Sequence, residues 1–197
     1  MGGAFFAGLA IATIVYFVAG PSQRLGMALR ATARWSFLWF CLATYGGALT
    51  TLWGARFQFL ARRGRDLGLA FAAAQLVHVM LAVWLLSHSP EPFPRLALVV
   101  FSIGVFWTYV LAALSLSSSL TEWLGPRRWK SIRIIGVEYI SFAFAFEFGS
   151  RILGGNRANA IHYLPLFLAA VGGPLLRAGA SIKHHVKPEN ARARLLS

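Results

Sequence analysis

The sequence predicts an all-α integral membrane protein, a bundle of six transmembrane helices with both termini in the cytoplasm. Of the 197 residues, 57% are hydrophobic and 13% are charged, and the mean hydropathy is +0.62; soluble domains carry about twice as much charge. Apolar stretches of roughly 20 residues recur along the chain, which is the length that crosses a hydrocarbon core about 30 Å thick. Basic residues lie mostly between these stretches, as in membrane proteins.

Six spans are expected, at residues 4–19, 35–53, 67–86, 96–116, 132–148 and 161–176. They should be helices because lipid offers the backbone no hydrogen-bond partners. Gly20-Pro21, Ser89-Pro90 and Gly154-Gly155-Asn156 mark breaks between them. The first span follows no Lys or Arg, so it is interpreted as a retained helix and not as a cleaved signal. Residues 1–179 then form one bundle, and residues 180–197 form a basic cytoplasmic tail, either a surface helix or a disordered arm.

The distribution of charge predicts the orientation of the bundle. The net charge is +13, and six spans place thirteen Lys and Arg residues on one side and six on the other. The positive-inside rule assigns the richer side to the cytoplasm. The Lys and Arg residues that flank the spans are expected to contact anionic lipid and not nucleic acid. Arg24, Arg30 and Arg34 fall on the opposite side, so five spans, with the N-terminal segment outside or in the interface, remain an alternative.

One ionisable residue, His78, lies near the middle of the third span. Such a side chain is costly to place at bilayer depth, so it marks a candidate functional site. An imidazole there serves as an axial ligand of haem iron, as a proton relay, or as a hydrogen-bond partner of a neighbouring helix. The single cysteine, Cys41, lies in the second span and excludes an intramolecular disulfide.

The residues before His78 read Arg62-Arg63-Gly64-Arg65-Asp66-Leu67-Gly68-Leu69, and a second motif reads Leu124-Gly125-Pro126-Arg127-Arg128-Trp129-Lys130. Their order and spacing resemble the ferric reductase-like transmembrane domain superfamily, and most closely the haem-binding membrane subunit of the periplasmic methionine sulfoxide reductase system. The resemblance covers roughly residues 20 to 150. It implies a bacterial inner-membrane protein with haem b, in which His78 is an axial ligand and Arg62 and Arg63 contact haem propionates or lipid.

The sequence departs from this family on the fifth span. The family carries haem-ligating histidines there, whereas this chain has none between His88 and His162. Those two histidines are expected at the external ends of their spans, and so not level with His78. A haem on His78 would therefore be five-coordinate.

The fifth span carries Glu138 and Glu147 instead, nine residues apart and so on opposite faces of a helix. Glu147 precedes Arg151 by four residues, the favourable order for an ion pair. Glu138 is expected to pair with a basic neighbour, such as Arg133, or to line a polar path.

Three interpretations follow. In the first, the chain is a haem-b electron-transfer subunit that passes electrons across the bilayer to a separate protein partner. In the second, it is a haem-less member of the same fold that acts in the assembly of, or interaction within, a membrane complex. In the third, it is a small ion or proton transporter that uses His78, Glu138 and Glu147. No catalytic nucleophile, paired carboxylates or ligand cluster is visible, so the chain is either non-catalytic alone or the electron-transfer component of an oxidoreductase.

Overall fold

The computed structural model describes residues 2–20, 23–88, 93–154 and 157–195, and its elements are helices. A single 3₁₀ turn, Ala55–Phe57, precedes the short third helix. The helices are α1 (Gly2–Val18), α2 (Arg24–Trp53), α3 (Gln58–Arg62), α4 (Gly64–His88), α5 (Arg95–Leu116), α6 (Ser118–Gly154) and α7 (Arg157–Leu195). The all-α fold class is therefore confirmed.

The central helix of the bundle is α2, which packs against α1, α4 and α7, while α6 packs against both α5 and α7. The buried face of α2 carries Ala28, Thr32 and Ser36, each with none of its surface exposed. A spacing of four residues keeps these side chains on one face of the helix. Small side chains let neighbouring helix backbones approach closely, which replaces the hydrophobic driving force that lipid cannot supply.

An aromatic cluster joins α2, α4 and α6 in the middle of the bundle. The ring of Phe37 lies 4.9 Å from that of Phe144 and 5.0 Å from that of Phe148, between ring centroids. Phe40 lies 5.3 Å from Phe71 of α4 in the same way. These separations are in the range at which edge-to-face and tilted aromatic pairs attract. The cluster fixes the positions of three helices that also form the candidate site.

The helix α6 bends at Gly125, whose φ of 72° and ψ of 160° are not helical. A φ in this range favours glycine because a Cβ would clash with the backbone. Pro126 follows and starts the longer helical segment, a position where its missing N–H costs nothing. The bend therefore separates a short segment from the segment that packs in the bundle.

Each of the six predicted spans overlaps one helix, and among the described residues three helical stretches are long and apolar enough to cross a membrane. These are Gly64–His88, Arg95–Leu116 and Ala160–Lys183, with Gly2–Val18 as a shorter apolar helix. Large apolar side chains are exposed on the outer surface, among them Phe17 (72%) and Leu168 (58%). Soluble monomers rarely expose extended apolar patches, so this surface suits lipid contact.

Two helices begin well before the predicted spans. α2 begins at Arg24, eleven residues before the expected start at residue 35, and α6 begins at Ser118 and not at residue 132. The arginines in the first turns of α2 lower the hydropathy of this part of the helix, so the apolar stretch in the sequence begins later than the helix does. Ala28 and Thr32 are nevertheless buried in these turns. α7 continues as a helix through the predicted tail boundary at residue 180 as far as Leu195. The predicted breaks at Pro21, Ser89-Pro90 and Gly155-Asn156 lie outside the described residues.

Candidate functional site

A cavity of about 220 Å³ lies among α2, α4, α5 and α6. It extends from the aromatic cluster, where Phe71 and Phe144 line it, to the end of the bundle, where Leu86 lies near the end of α4 and Ala97 near the start of α5. Most of its wall is apolar. The polar side chains that line it are Arg30, Gln75, His78, Thr108, Glu147, Arg151 and Tyr163.

His78 is the fifteenth residue of the 25-residue α4 and lines the middle of this cavity. Its Nδ1 lies 3.2 Å from the hydroxyl oxygen of Thr32 on α2. That oxygen is also 2.9 Å from the carbonyl oxygen of Ala28 and 3.1 Å from that of Leu29. A hydroxyl has one proton to donate. When Thr32 donates it to either carbonyl, its oxygen accepts the Nδ1 proton of His78, and Nε2 keeps a lone pair for a ligand.

The α6 wall of the cavity carries an ion pair. Glu147 Oε1 accepts hydrogen bonds from Arg151 Nε at 2.8 Å and Nη2 at 2.7 Å. The two side chains are half exposed, at 45% and 43%. The expected ion pair is thus present, and it lies on the helix where the family resemblance places histidines. A carboxylate held by a guanidinium faces the same cavity as the imidazole of His78.

Two guanidinium groups lie near the ring of a buried tyrosine, Tyr163, at the end of the cavity close to the start of α7. The guanidinium carbon of Arg34 lies 5.0 Å from the ring centroid of Tyr163, and that of Arg151 lies 5.9 Å away. Such distances allow cation–π attraction. Arg30 lines the same end of the cavity. This end is therefore cationic.

Two buried polar atoms that line the cavity have no hydrogen-bond partner among the described residues: the hydroxyl of Tyr163 and Oε1 of Gln75. Tyr163 is 4% exposed and Gln75 is 7% exposed. Buried polar atoms in proteins are nearly always bonded. These two atoms are therefore candidate hydrogen-bond partners for a molecule bound in the cavity.

The histidines His88 and His162 do not line the cavity with His78. His88 is exposed at the end of α4, with Nδ1 3.0 Å from the carbonyl oxygen of Trp84, and His162 is exposed near the start of α7. Within the described part of the chain, His78 is the only histidine that lines the cavity. No group of three or more metal-ligating side chains is found among the residues described. The structure thus supplies one imidazole to the site.

Arg62 and Arg63 are exposed at the junction of α3 and α4 and do not line the cavity. The guanidinium of Arg63 lies 4.5 Å from the ring centroid of Phe59. His78 follows the start of α4 by fourteen residues, a rise of about 21 Å along a helix. Arg62 and Arg63 therefore lie at the end of the bundle opposite to the cavity residues Leu86 and Ala97.

Glu138 lies in a second polar site, between α6 and α7. Its Oε1 accepts a hydrogen bond from Arg177 Nε at 2.8 Å, and Arg177 Nη2 lies 3.2 Å from the hydroxyl oxygen of Ser141. The ion pair is partly buried, with side-chain exposures of 38% and 22%. Glu138 and Glu147 therefore belong to separate sites.

Sequence reasoning did not identify Thr32, Gln75, Tyr163 or Arg177 as site residues. A usable signal existed for Thr32, because Ala28, Thr32, Ser36 and Phe40 repeat every four residues and predict a buried helical face. Gln75 precedes His78 by three residues, which places both on one face of α4. The sequence assigns Arg177 to the basic residues of the cytoplasmic side, and its partner Glu138 lies thirty-nine residues away.

Comparisons of this chain with protein families, with curated proteins and with solved structures find no match.

Proposed function

We propose that the chain is a six-span membrane protein of the ferric reductase-like type that holds a redox group in the His78 cavity and passes electrons to a separate partner. The observation that carries the proposal is the position of His78, in the middle of an apolar helix and facing an interhelical cavity. Its hydrogen bond to Thr32 orients the ring and favours a free Nε2. The redox part of the proposal rests on the resemblance of the two sequence motifs to the ferric reductase-like family.

Haem b is the group that the resemblance implies, and among the described residues that line the cavity His78 is the imidazole that could bind its iron. His78 would bind the iron, whereas Arg62 and Arg63 lie outside the residues that line the cavity and so do not suit its propionates. When bound, haem supplies one-electron transfer. The cavity of about 220 Å³ is smaller than pockets for drug-sized ligands, about 300–1,000 Å³. The helices around the cavity would therefore have to move apart to admit a porphyrin.

The size of the cavity and its single imidazole favour a second candidate, a haem-less member of the fold that acts as an interaction or assembly subunit. In this candidate His78 and Thr32 serve to join α4 to α2. The third interpretation, ion or proton transport, has less support. Glu138 is paired with Arg177 and lies outside the residues that line the cavity, so the three proposed carriers form no common path.

The absorption spectrum of the detergent-purified protein tests the first proposal. Protein from haem-replete cells should show a Soret band, and sharp α and β bands should appear after reduction. His78→Ala should abolish them, whereas His162→Ala, at an exposed position outside the cavity, should preserve them. Because one face of the iron would stay open, carbon monoxide should bind the reduced protein.

A colourless preparation that stays colourless when haem is added would rule out the electron-transfer proposal. The second candidate then predicts a stoichiometric partner protein that co-purifies in mild detergent. A solitary, monodisperse chain would count against that candidate as well.

A further inference from the structure

The outer end of the His78 cavity has an excess of positive charge. Arg30 and Arg151 line it, and Arg34 packs on the ring of Tyr163 beside them. Among the described residues that line the cavity, Glu147 is the one carboxylate. Glu147 already pairs with Arg151, so the guanidiniums of Arg30 and of the neighbouring, exposed Arg34 are not balanced by a carboxylate of the cavity lining, and an anion bound there would be stabilised. These arginines also lie on the side of the membrane where the positive-inside rule predicts few basic residues.

The hydroxyl of Tyr163 is a second, independent sign of a ligand. Tyr163 is 4% exposed, its hydroxyl has no partner among the described residues, and the side chain lines the cavity. A phenol at this depth normally has a hydrogen-bond partner. The hydroxyl would donate to an anionic oxygen held by the neighbouring guanidiniums.

The walls near this end indicate what carries the anion. Leu86, Phe93 and Ala97 line the cavity where α4 ends and α5 begins. In the six-span arrangement these residues lie at the depth where the polar headgroups meet the hydrocarbon core. An apolar seam next to a cationic end suits an amphiphile with an anionic head and an acyl chain.

We propose that Arg30, Arg151 and Tyr163 bind the phosphate of an anionic phospholipid, whose acyl chain enters the seam between α4 and α5. This inference goes beyond the proposed function, because it concerns the outer end of the cavity and requires no group on His78. Guanidinium groups form paired hydrogen bonds to phosphate oxygens, and basic pockets between helices select anionic lipids. The site therefore explains why arginines gather on this side of the bundle.

Lipid binding to the purified full chain in detergent tests this proposal. Native mass spectrometry and the thermal unfolding midpoint would be compared for phosphatidylglycerol and phosphatidylcholine with the same acyl chains. Phosphatidylglycerol should bind at least about tenfold more tightly and raise the midpoint further, because its net charge complements the guanidiniums. Inorganic phosphate is the probe for a free-anion site and should not displace the lipid at millimolar concentration.

Matched variants locate the site. Arg30→Gln and Tyr163→Phe should each weaken phosphatidylglycerol binding by about tenfold, as expected for the loss of one charge-assisted hydrogen bond. Arg95→Gln removes the same charge from the start of α5, at the same end of the bundle but outside the cavity lining, and should leave binding unchanged. Glu147→Gln should tighten binding, because it releases Arg151 from its carboxylate partner.

Equal binding of the two lipids would overturn the proposal, as would an effect of Arg95→Gln as large as that of Arg30→Gln. Full displacement by inorganic phosphate would show a free-anion site and would also overturn it. The assay uses no haem signal. A colourless protein that binds phosphatidylglycerol through these residues would therefore refute the proposed function and leave this inference standing.

Discussion

His78 of α4 and Thr32 of α2, forty-six residues apart in sequence, are joined by a hydrogen bond of 3.2 Å between Nδ1 and Oγ1. We expect Thr32→Val to remove the acceptor that fixes the imidazole, and so to weaken ligand binding at Nε2 by about 10- to 100-fold. Thr32→Ser keeps the hydroxyl and should retain most of the affinity. Haem titration of the apoprotein measures this effect.

The same substitution has a readout that needs no ligand. In protein with isotope-labelled histidine, nitrogen NMR distinguishes an imidazole protonated at Nδ1 from one protonated at Nε2. His78 should be protonated at Nδ1 in the native chain and should lose this preference in Thr32→Val. An identical tautomer in both proteins would contradict the assigned direction of the hydrogen bond.

The helices could be predicted from sequence because apolar stretches of sufficient length have few other stable forms in lipid. His78 could be identified from the sequence because an ionisable residue inside an apolar stretch is evident from that stretch alone. Thr32 could not be paired with it, since that contact depends on how α2 packs against α4. Arg177 shows the same limit. It lies in α7, and its partner Glu138 is thirty-nine residues away, so the local pattern pointed to Arg133 instead.

The Glu138–Arg177 ion pair should couple α6 to α7. Because the pair is partly buried, Glu138→Gln or Arg177→Gln alone leaves an uncompensated charge and should lower the free energy of unfolding by about 1–3 kcal/mol. The double substitution should cost less than the sum, with a coupling energy of about 1–2 kcal/mol. Thermal or denaturant unfolding in detergent measures all four proteins of the cycle.

The Glu147–Arg151 pair is the matched control for that cycle. It lies within one helix and is more exposed, so its coupling energy should stay below about 1 kcal/mol. Equal coupling energies for the two pairs would show that burial between α6 and α7 adds nothing.

Two adjacent glycines of α2 should respond differently to alanine. A Cβ on Gly46 would lie 2.7 Å from backbone atoms of Leu60 and Ala61, whereas a Cβ on Gly47 would meet nothing within 4 Å. Gly46→Ala should therefore push α3 away from α2 and cost about 1–3 kcal/mol of unfolding free energy. Gly47→Ala should be neutral or stabilising by up to about 1 kcal/mol, because alanine favours helix. Similar unfolding midpoints for the two variants would refute the close contact between α2 and α3.

A parallel comparison on α7 tests its contact with α2. A Cβ on Gly173 would lie 2.5 Å from Cε1 of Tyr45, while one on Gly172 would meet nothing within 4 Å. The hydroxyl of Tyr45 donates to the carbonyl of Ala169, so the ring has little room to move. Gly173→Ala should lower the unfolding midpoint and Gly172→Ala should not.

The number of spans is tested by labelling single cysteines in intact cells with a membrane-impermeant maleimide. In a Cys41→Ser background, Arg95→Cys should be labelled from outside and Arg128→Cys only after permeabilisation, because the positive-inside rule places these positions on opposite sides. Gly3→Cys separates the alternatives. Six spans place it in the cytoplasm, where it is protected, whereas five spans with an external N-terminal segment leave it accessible. Labelling of Gly3→Cys in intact cells would show that α1 does not cross the membrane.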